Sequence, residues 1–469
     1  MKVLLSTPPG RTTEKWPPLG LLYLASNLRK ERDDEVVVCD AFCADWDRSE
    51  LLSRIIQEKP DVIGLSCSTH TFLKAIAVLE KVREALPQSI ILMGGYHATF
   101  ATESILRSYP FIDYILRGEA EHSLVSLLDS LDKGDEPKTV QGICYMKKGE
   151  LVKRPICLVE DLDSLPFPDR SALVGIRYGY THQGIPLTFG KFTTISSSRG
   201  CPFRCSYCSC AAFSLNRWRP RSAENVVQEL EEIYSDGFES CVFVDDNFTH
   251  DKRRVMRICE LIKKRRIRLR MYCEGRVDSA SKELLLTMKK AGFDVIYFGA
   301  ESASQSTLDY FNKHITPEKT AQAIANAKES GMLVITSFIF GAPVEKDEDL
   351  ITTLNFIREV RPHAIQVNIL DCLPGTKIWD EMSQHGFIRP DDWKSNHRIY
   401  EYECARSKQE LQDLVNSAYS EWLKGWWSGR GVKEFFSTLL RNHTARRIVF
   451  SNILNRNVRT QIRRGMKPF

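Results

Sequence analysis

The sequence predicts an α/β protein in three parts: a doubly wound sheet over residues 1–135, a partial (β/α)6 barrel over 193–394 and a basic helical segment over 395–469. A connector spans 136–192. Three observations carry this reading. Short β-branched runs alternate with helix-period stripes in two separate blocks, the pattern of parallel sheets covered by helices. The chain has 469 residues, several times the ~100–200 of a typical domain. Three cysteines in a C-x3-C-x2-C spacing follow directly on the strand that opens the second block.

In the first block, residues 2–6, 36–40, 62–67 and 90–94 are apolar runs bounded by Pro, Gly or Ser, as buried parallel strands should be. Residues 20–30 place Leu21, Leu24, Ala25 and Leu28 on one helical face. Residues 70–86 place Leu73, Ile76, Ala77 and Leu79 inward, with Lys74, Lys81 and Arg83 outward. Ligands of doubly wound sheets sit beyond the carboxyl ends of the strands. Here those ends carry Thr7-Pro8-Pro9-Gly10, Ser66-Cys67-Ser68-Thr69-His70, Gly94-Gly95-Tyr96-His97 and Arg117-Gly118-Glu119. Glycine lets backbone approach a ligand, and hydroxyls bond phosphate or amide groups. No G-x-G-x-x-G follows the first strand, so a dinucleotide site lacks support. The connector, with Leu165-Pro166-Phe167-Pro168 and many turn residues, interrupts both periodicities and reads as irregular chain wrapping between two sites.

The second block opens at strand 193–198. Helical stripes after Ser222 and over 253–265, 281–291, 317–330 and 347–360 alternate with strands 241–244, 269–273, 295–298, 334–340 and 364–370. Six βα-type units imply a site at the strand C-termini. Those ends present Asp245, Asp246, Asn247, Glu274, Arg276, Glu301, Ser302, Glu345 and Asp371.

Fourteen cysteines are too few for a disulfide scaffold in so long a chain, and the group at Cys201, Cys205 and Cys208 points to metal chemistry in a reducing compartment. A four-iron cluster ordinarily takes four thiolates, so three leave one iron open to an exogenous ligand. A zinc knuckle would want a second ligand pair, and Cys210 is poorly spaced for it.

In the last segment, Ser407 and Glu410 have capping-box spacing, and Leu411, Leu414, Val415, Ala418, Trp422 and Trp426 form a stripe expected to be core. From residue 430 onward ten Lys or Arg stand against one acid, Glu434. Such a tail suits an acidic protein, an anionic membrane surface or nucleic acid. Trp426-Trp427 and Phe435-Phe436 beside it suit an extended peptide or a lipid-like substrate. No apolar run approaches the ~20 residues of a membrane span, and the N-terminus lacks a secretory signal, so a cytoplasmic protein is expected.

On Arg199-Gly200-Cys201-Pro202-Phe203-Arg204-Cys205-Ser206-Tyr207-Cys208 the chain resembles the radical SAM superfamily, in which S-adenosylmethionine chelates the unique iron of a 4Fe-4S cluster. On P-P-L-G-L-L-Y-L-A at residues 17–25, and on Gly94-Gly95-Tyr96-His97, it resembles the Rossmann-like cobalamin-binding domain of one large subfamily. The resemblance implies a cluster on Cys201, Cys205 and Cys208. It implies S-adenosylmethionine among Tyr207, Asp245, Asp246, Glu274, Arg276 and Glu301, with Tyr207 near adenine, Asp245 or Asp246 near the amino group, and Glu301 with Arg276 near ribose or carboxylate. It implies cobalamin held by Pro9, Gly20, Ser66, Ser68, Thr69, His70, Gly94, Gly95, His97, Gly118 and Glu119. None of the ten histidines sits in D-x-H-x-x-G, so the usual lower axial ligand is missing, and His70, Thr69 and Phe72 are candidates for that position.

The implied activity is that of a class B-like, cobalamin-dependent radical SAM C-methyltransferase. In the family a 5′-deoxyadenosyl radical removes hydrogen from an unactivated sp3 carbon, which then takes methyl from methylcobalamin. A low-potential donor such as ferredoxin or flavodoxin, and absence of oxygen, are implied. A protein or peptide substrate is expected from the tail and connector, one candidate being a glutamine of methyl-coenzyme M reductase. The alternatives are a methylase or cyclase acting on a lipid, porphyrin-like or antibiotic intermediate and, from another class, a cobalamin sensor or iron-sulfur electron carrier. The tail also keeps nucleic acid open as a partner.

Overall fold

A computed structural model describes residues 1–173, 175–182, 185–389, 391–395 and 406–454. The first block comprises β1 (Lys2–Ser6), α1 (Leu19–Glu31), β2 (Glu35–Cys39), α2 (Arg48–Glu58), β3 (Val62–Ser66), α3 (Thr69–Ala85), β4 (Ile90–Gly94), α4 (Gly95–Phe100), α5 (Thr102–Ser108), β5 (Tyr114–Leu116) and α6 (Glu121–Asp132). Strands β1 to β5 are parallel in the order β2-β1-β3-β4-β5. Chain direction across the sheet therefore reverses at β1 and β3, where a doubly wound sheet opens a crevice beyond its strand ends.

The expected phase of α3 is corrected. Phe72, Ala75, Ile76, Leu79 and Val82 are buried, whereas Leu73, expected inward, is exposed. Phe72, Ile76 and Leu79 share one helical face, and the large aromatic area of Phe72 sets which face turns to the sheet. In α1 the expected Leu24 is only half-buried, while Tyr23 is buried against Val159, Leu162 and Leu165 of the connector. This helix is covered from two sides.

The connector is more ordered than expected. It contributes β6 (Ile143–Lys147) and β7 (Glu150–Lys153), an antiparallel hairpin that extends the first sheet from β5. The turn residues Lys148 and Gly149 have φ of 50° and 85°, the positive pair that a two-residue type I′ turn requires. Two further short strands, β8 (Thr181–His182) and β9 (Ile185–Pro186), follow. His182 Nε2 lies 3.0 Å from the Ile365 carbonyl, and Tyr180 packs on Trp16 and Tyr272. Tyr180 and Leu187 of the connector thus pack on Val242, Tyr272, Val295 and Ile335 of the barrel strands, together with Ala445 of the last helix.

That barrel runs through β10 (Phe192–Ile195), β11 (Ser198–Arg199), α7 (Ser209–Phe213), β12 (Arg219–Pro220), α8 (Ala223–Ser235), β13 (Ser240–Phe243), α9 (Lys252–Lys264), β14 (Arg270–Gly275), α10 (Lys282–Ala291), β15 (Phe293–Glu301), α11 (Gln305–Tyr310), α12 (Pro317–Glu329), β16 (Leu333–Phe340), α13 (Asp347–Val360) and β17 (Ala364–Ile369). Six strands, β10-β13-β14-β15-β16-β17, form one parallel sheet in chain order. Ser222, Asp251, Ser281 and Thr316 cap four of the helices through side-chain oxygens, each interaction contributing about 1 kcal/mol.

After α14 (Lys377–Gln384), the helix α15 (Lys408–Trp426) packs beside α13 and on β17, continuing the outer helical layer past the last strand. Its stripe lies against the barrel, with Leu411 and Ala418 buried. Trp422 and Trp426 donate indole N–H bonds of 2.8 and 3.0 Å to the Pro362 carbonyl. Then come α16 (Gly429–Arg441) and α17 (His443–Leu454). The part of the basic tail at 455–469 lies outside the described residues. Among the described residues no helix is long and apolar enough to cross a membrane.

Candidate active site

Strand β10 turns through Ser196 and Ser197 into β11, which pairs with β12 and closes the cysteine loop. Gly200, φ 83°, sits so close to Ser214 and the Arg217 carbonyl that no side chain would fit. The loop is tied to neighbouring strand ends. Ser206 donates its backbone N–H to the Phe311 carbonyl (2.9 Å) and its hydroxyl to that of Tyr310 (3.0 Å), while Asn312 Nδ2 donates to the Arg204 carbonyl (2.8 Å). Cys201, Cys205 and Cys208 are half-buried on this frame. Hydrogen bonding from Cys210 lowers the Cys208 thiol against the opposing effect of burial, whereas burial raises Cys205 and pushes Cys201 up to about 11. The thiolate is the metal-binding form, and an all-thiol donor set suits iron-sulfur chemistry.

The carboxylates at the strand ends divide into two kinds. Asp245, expected near a ligand amino group, is buried and accepts from Ser197 N (2.7 Å), Ser197 Oγ (2.6 Å) and Ser198 Oγ (2.5 Å). Its oxygens hold the β10–β11 corner. Asp246 accepts from Gly200 N (2.9 Å) and also borders open space. Glu274, near the end of β14, is exposed yet has protein on several sides. That surrounding protein, then the negative charges of Asp246 and Glu301, raise it to about 7, with Lys313 opposing.

Glu301 ends β15 with φ 65°, strained for a residue with a Cβ. Its carboxylate accepts from Tyr207 Oη (3.0 Å), Lys313 Nζ (2.7 Å) and Ser337 Oγ (3.2 Å). Lys313 also reaches Tyr207 Oη at 3.1 Å. Glu301 and Cys205 hold the buried ammonium charged: their attraction outweighs desolvation. Sequence reasoning missed Lys313, which sits in a loop without periodicity between the left-handed residues Asn312 and His314. The Arg276 guanidinium lies 3.6 Å over the Phe203 ring and donates to the Lys313 carbonyl (2.8 Å), so it braces the cysteine loop from the side.

A cavity of about 420 Å³ separates the first sheet from the barrel. Gly20, Ser66, Gly94, Gly95, Gly118 and Glu119 line one side, and Arg199, Gly200, Cys210 and Asp246 the other. A Cβ on Gly20 would meet nothing within 4 Å, so packing does not explain this glycine, whereas room for a ligand does. Gly95, φ 90°, is fixed by backbone geometry: a Cβ there would come within 2.7 Å of the Cys67 carbonyl. Open glycine edges and a hydroxyl fit a large amphipathic cofactor such as cobalamin.

The structure does not bring every expected residue to this wall. Pro9, Ser68, Thr69, His70 and His97 lie elsewhere. His97 is buried, with Nδ1 3.0 Å from Thr69 Oγ1 and its ring 4.5 Å from both Phe72 and Trp393. Burial pushes it down to about 3. Phe72 is part of that core, which corrects its candidacy for the lower axial position. Ser68 caps α3. His70 is exposed, its Nε2 3.6 Å from Asp371 Oδ2 at the end of β17. Glu119 forms an ion pair with Arg219 (2.5 and 2.8 Å) and accepts from Val159 N (2.6 Å). Burial alone would raise its carboxyl, but Arg219 and Arg199 hold it below the usual range. A further contact was not anticipated. Tyr96 donates its hydroxyl to Cys210 Sγ at 3.7 Å and stacks on Phe213 at 4.3 Å, joining the first sheet to the cysteine loop.

Residues 195–357 match the Radical SAM superfamily and residues 10–128 the B12 binding domain. An uncharacterized methyltransferase of Pyrococcus horikoshii is 31% identical over 429 residues, covering 89% of this chain and 92% of that protein. The anaerobic magnesium-protoporphyrin IX monomethyl ester cyclase of Rubrivivax gelatinosus is 31% identical over 377 residues, 78% of this chain and 66% of the cyclase. The structure of the radical S-adenosylmethionine methyltransferase TsrM from Kitasatospora setae, with cobalamin and a 4Fe-4S cluster bound, superposes with a TM-score of 0.70. That match is at 19% identity and covers 83% of this chain and 79% of that one.

Proposed function

Because this chain belongs to the radical SAM family that carries a B12 binding domain, with methyltransferases among its relatives, we propose that it methylates an unactivated sp3 carbon of a large, mainly apolar substrate. The observation that carries the reading is the shared cavity. One wall comes from the strand ends of the B12-type sheet and the other from the loop that bears Cys210 and from Asp246. A methyl donor and a hydrogen-abstracting reagent must reach one carbon in turn, and apposed sites allow that without release of an intermediate.

When bound, the reduced 4Fe-4S cluster supplies an electron for sulfonium cleavage, and methylcobalamin supplies the methyl group. In this proposal Cys201, Cys205 and Cys208 hold the cluster. Tyr207, Glu301 and Lys313 form one hydrogen-bonded group that orients S-adenosylmethionine, with Arg276 fixing the loop beside it. Asp246 and Glu274 offer accessible acceptors for amino or hydroxyl groups, while Asp245 acts through Ser197 and Ser198. Gly20, Ser66, Gly94, Gly95 and Gly118 would border cobalamin in the cavity, and Tyr96 links the first sheet to the cysteine loop through Cys210. An external low-potential donor completes the system.

The magnesium-protoporphyrin ester named in one relative supports the lipid or porphyrin-like class of substrate. The peptide substrate expected from the basic tail has no comparable support.

The test is anaerobic reconstitution with iron, sulfide and cobalamin, then product analysis with tetrapyrrole esters, isoprenoid lipids and peptides under a strong reductant. 5′-Deoxyadenosine, S-adenosylhomocysteine and a methylated apolar substrate are expected together. 5′-Deoxyadenosine with cyclised product and no S-adenosylhomocysteine would replace methylation with cyclisation, and turnover of peptides alone would overturn the substrate class.

A further inference from the structure

Helix α16 is packed the wrong way round for a core helix. Its polar side faces the protein. Glu434 is held by Arg361 (2.9 Å) and Lys328 (3.2 Å), Thr438 Oγ1 lies 3.0 Å from His363 Nε2, and Gly431 lies against the Gly425 and Trp426 backbone. The apolar residues Val432, Phe435, Phe436, Leu439 and Leu440 fall at i, i+3, i+4, i+7 and i+8, a continuous stripe. Leu439 packs on the barrel core, and the other four are exposed, Phe436 at 61% and Leu440 at 81%. Trp427, at the end of α15, extends the patch with 80% of its surface in water. Scattered exposed apolar residues are ordinary, but a contiguous stripe turned outward by polar anchoring marks an interaction surface.

The charges around it select the occupant. Lys433 and Arg441 on α16 are exposed around the stripe, as are Arg430 and Lys424, which also pair with Glu434 (3.4 Å) and Glu421 (2.6 Å). Of the nearby acids, Glu434 is neutralised by Arg361, Lys328 and Arg430, and Glu421 by Lys424 and Arg358. A helix with a broad apolar face, bordering cations and an adjacent Trp is built to lie in the headgroup layer of an anionic bilayer. We propose that α16, with Trp427, is a peripheral membrane-docking face for anionic lipid surfaces. The patch sits at the end of the barrel where Asn442 and Thr444 contact Gly331 and Asp294, beside the N-termini of β16 and β15. Docking there leaves the cysteine loop at the opposite end free. This inference stands on the orientation of α16 and not on the substrate proposed above.

The test is co-sedimentation of the full chain with vesicles of phosphatidylcholine alone or mixed with phosphatidylglycerol. Binding is expected to the mixed vesicles, to weaken in high salt, and to fall at least tenfold in the double variant Phe436→Ser, Leu440→Ser. These side chains are mostly in water, so S-adenosylmethionine cleavage by the variant should match the parent and report an intact fold. The charge variant Lys433→Glu, Arg441→Glu should also lose binding. No binding to mixed vesicles, or equal binding by parent and variants, overturns the proposal. A parent dimer that the double variant makes monomeric, without vesicle binding, would mean that a second copy covers the stripe. Vesicle binding that appears only after removal of residues 455–469 would mean that the tail covers it.

Discussion

At Glu301 three hydrogen-bond donors converge on one carboxylate whose backbone is held at φ 65°. Such a conformation costs about 1–3 kcal/mol and persists only where surrounding contacts demand it. Removing the ammonium in Lys313→Met leaves a buried carboxylate short of its cation, and a lost hydrogen bond to a charged group is worth about 1.5–3 kcal/mol. We expect roughly tenfold or greater weakening of S-adenosylmethionine binding in the reconstituted variant, read by calorimetric titration, with cobalamin binding unchanged. Lys313→Arg should recover part of it.

Glu274 gives a pH signature. Its side chain is exposed, but the protein around it and then the charges of Asp246 and Glu301 raise its folded pKa to about 7. The folded state therefore binds more protons than the unfolded state between the usual glutamate range and about 7. Stability associated with this group is present below that window and is lost as pH rises through about 7. In Tm measurements from pH 5 to 8 on the apoprotein, Glu274→Gln should flatten this decline. An unchanged slope would assign the loss to other groups.

The cysteine motif was legible because its spacing is local. Lys313 and Tyr96 were not, because their roles depend on residues such as Glu301 and Cys210 that only the fold brings near them.

Among the elements, the join between the first sheet and the β11–β12 ladder is held by buried charge. Arg219 pairs with Glu119, and Arg199 with Glu121 at 2.8 Å. Removing one partner of such a pair typically costs 3–5 kcal/mol, because the other charge stays buried. Arg219→Ala should lower Tm sharply. It should also widen the separation of the two blocks, giving faster proteolysis in the connector at unchanged iron content.

Gly20, at the second position of α1, tests the cavity itself. Gly20→Val has open space for its side chain, so the apoprotein should fold normally while cobalamin affinity falls. Equal affinity would place the cofactor elsewhere. The elements were largely legible: β1, β4 and α13 coincide with their expected spans, and the remaining expected strands shift by a few residues at most. The β6–β7 hairpin was not, because its strands are short, partly polar and joined through Lys148 at positive φ, a conformation that a lysine does not advertise.

For the whole molecule, the arrangement of two ligand-binding sheets around one cavity predicts separable loading. Cys205→Ala should abolish iron incorporation and 5′-deoxyadenosine formation while cobalamin still binds, as read by metal analysis and absorption spectra. His97 is committed to Thr69, Phe72 and Trp393, so bound cob(II)alamin should show no imidazole nitrogen splitting in its EPR spectrum. Such splitting would point to His70, the exposed histidine on α3.

By itself the sequence determined the α/β class, the six barrel strands and the thiol set, because these follow from periodicities and spacings within a few dozen residues. Tertiary structure alone decided that Asp245 serves Ser197 and Ser198, that His97 is core, that Glu301 meets Lys313, and that α16 turns its apolar side outward. Those outcomes depend on which groups satisfy one another across distant parts of the chain. A buried charge or hydrogen bond is settled only when all its partners are in place.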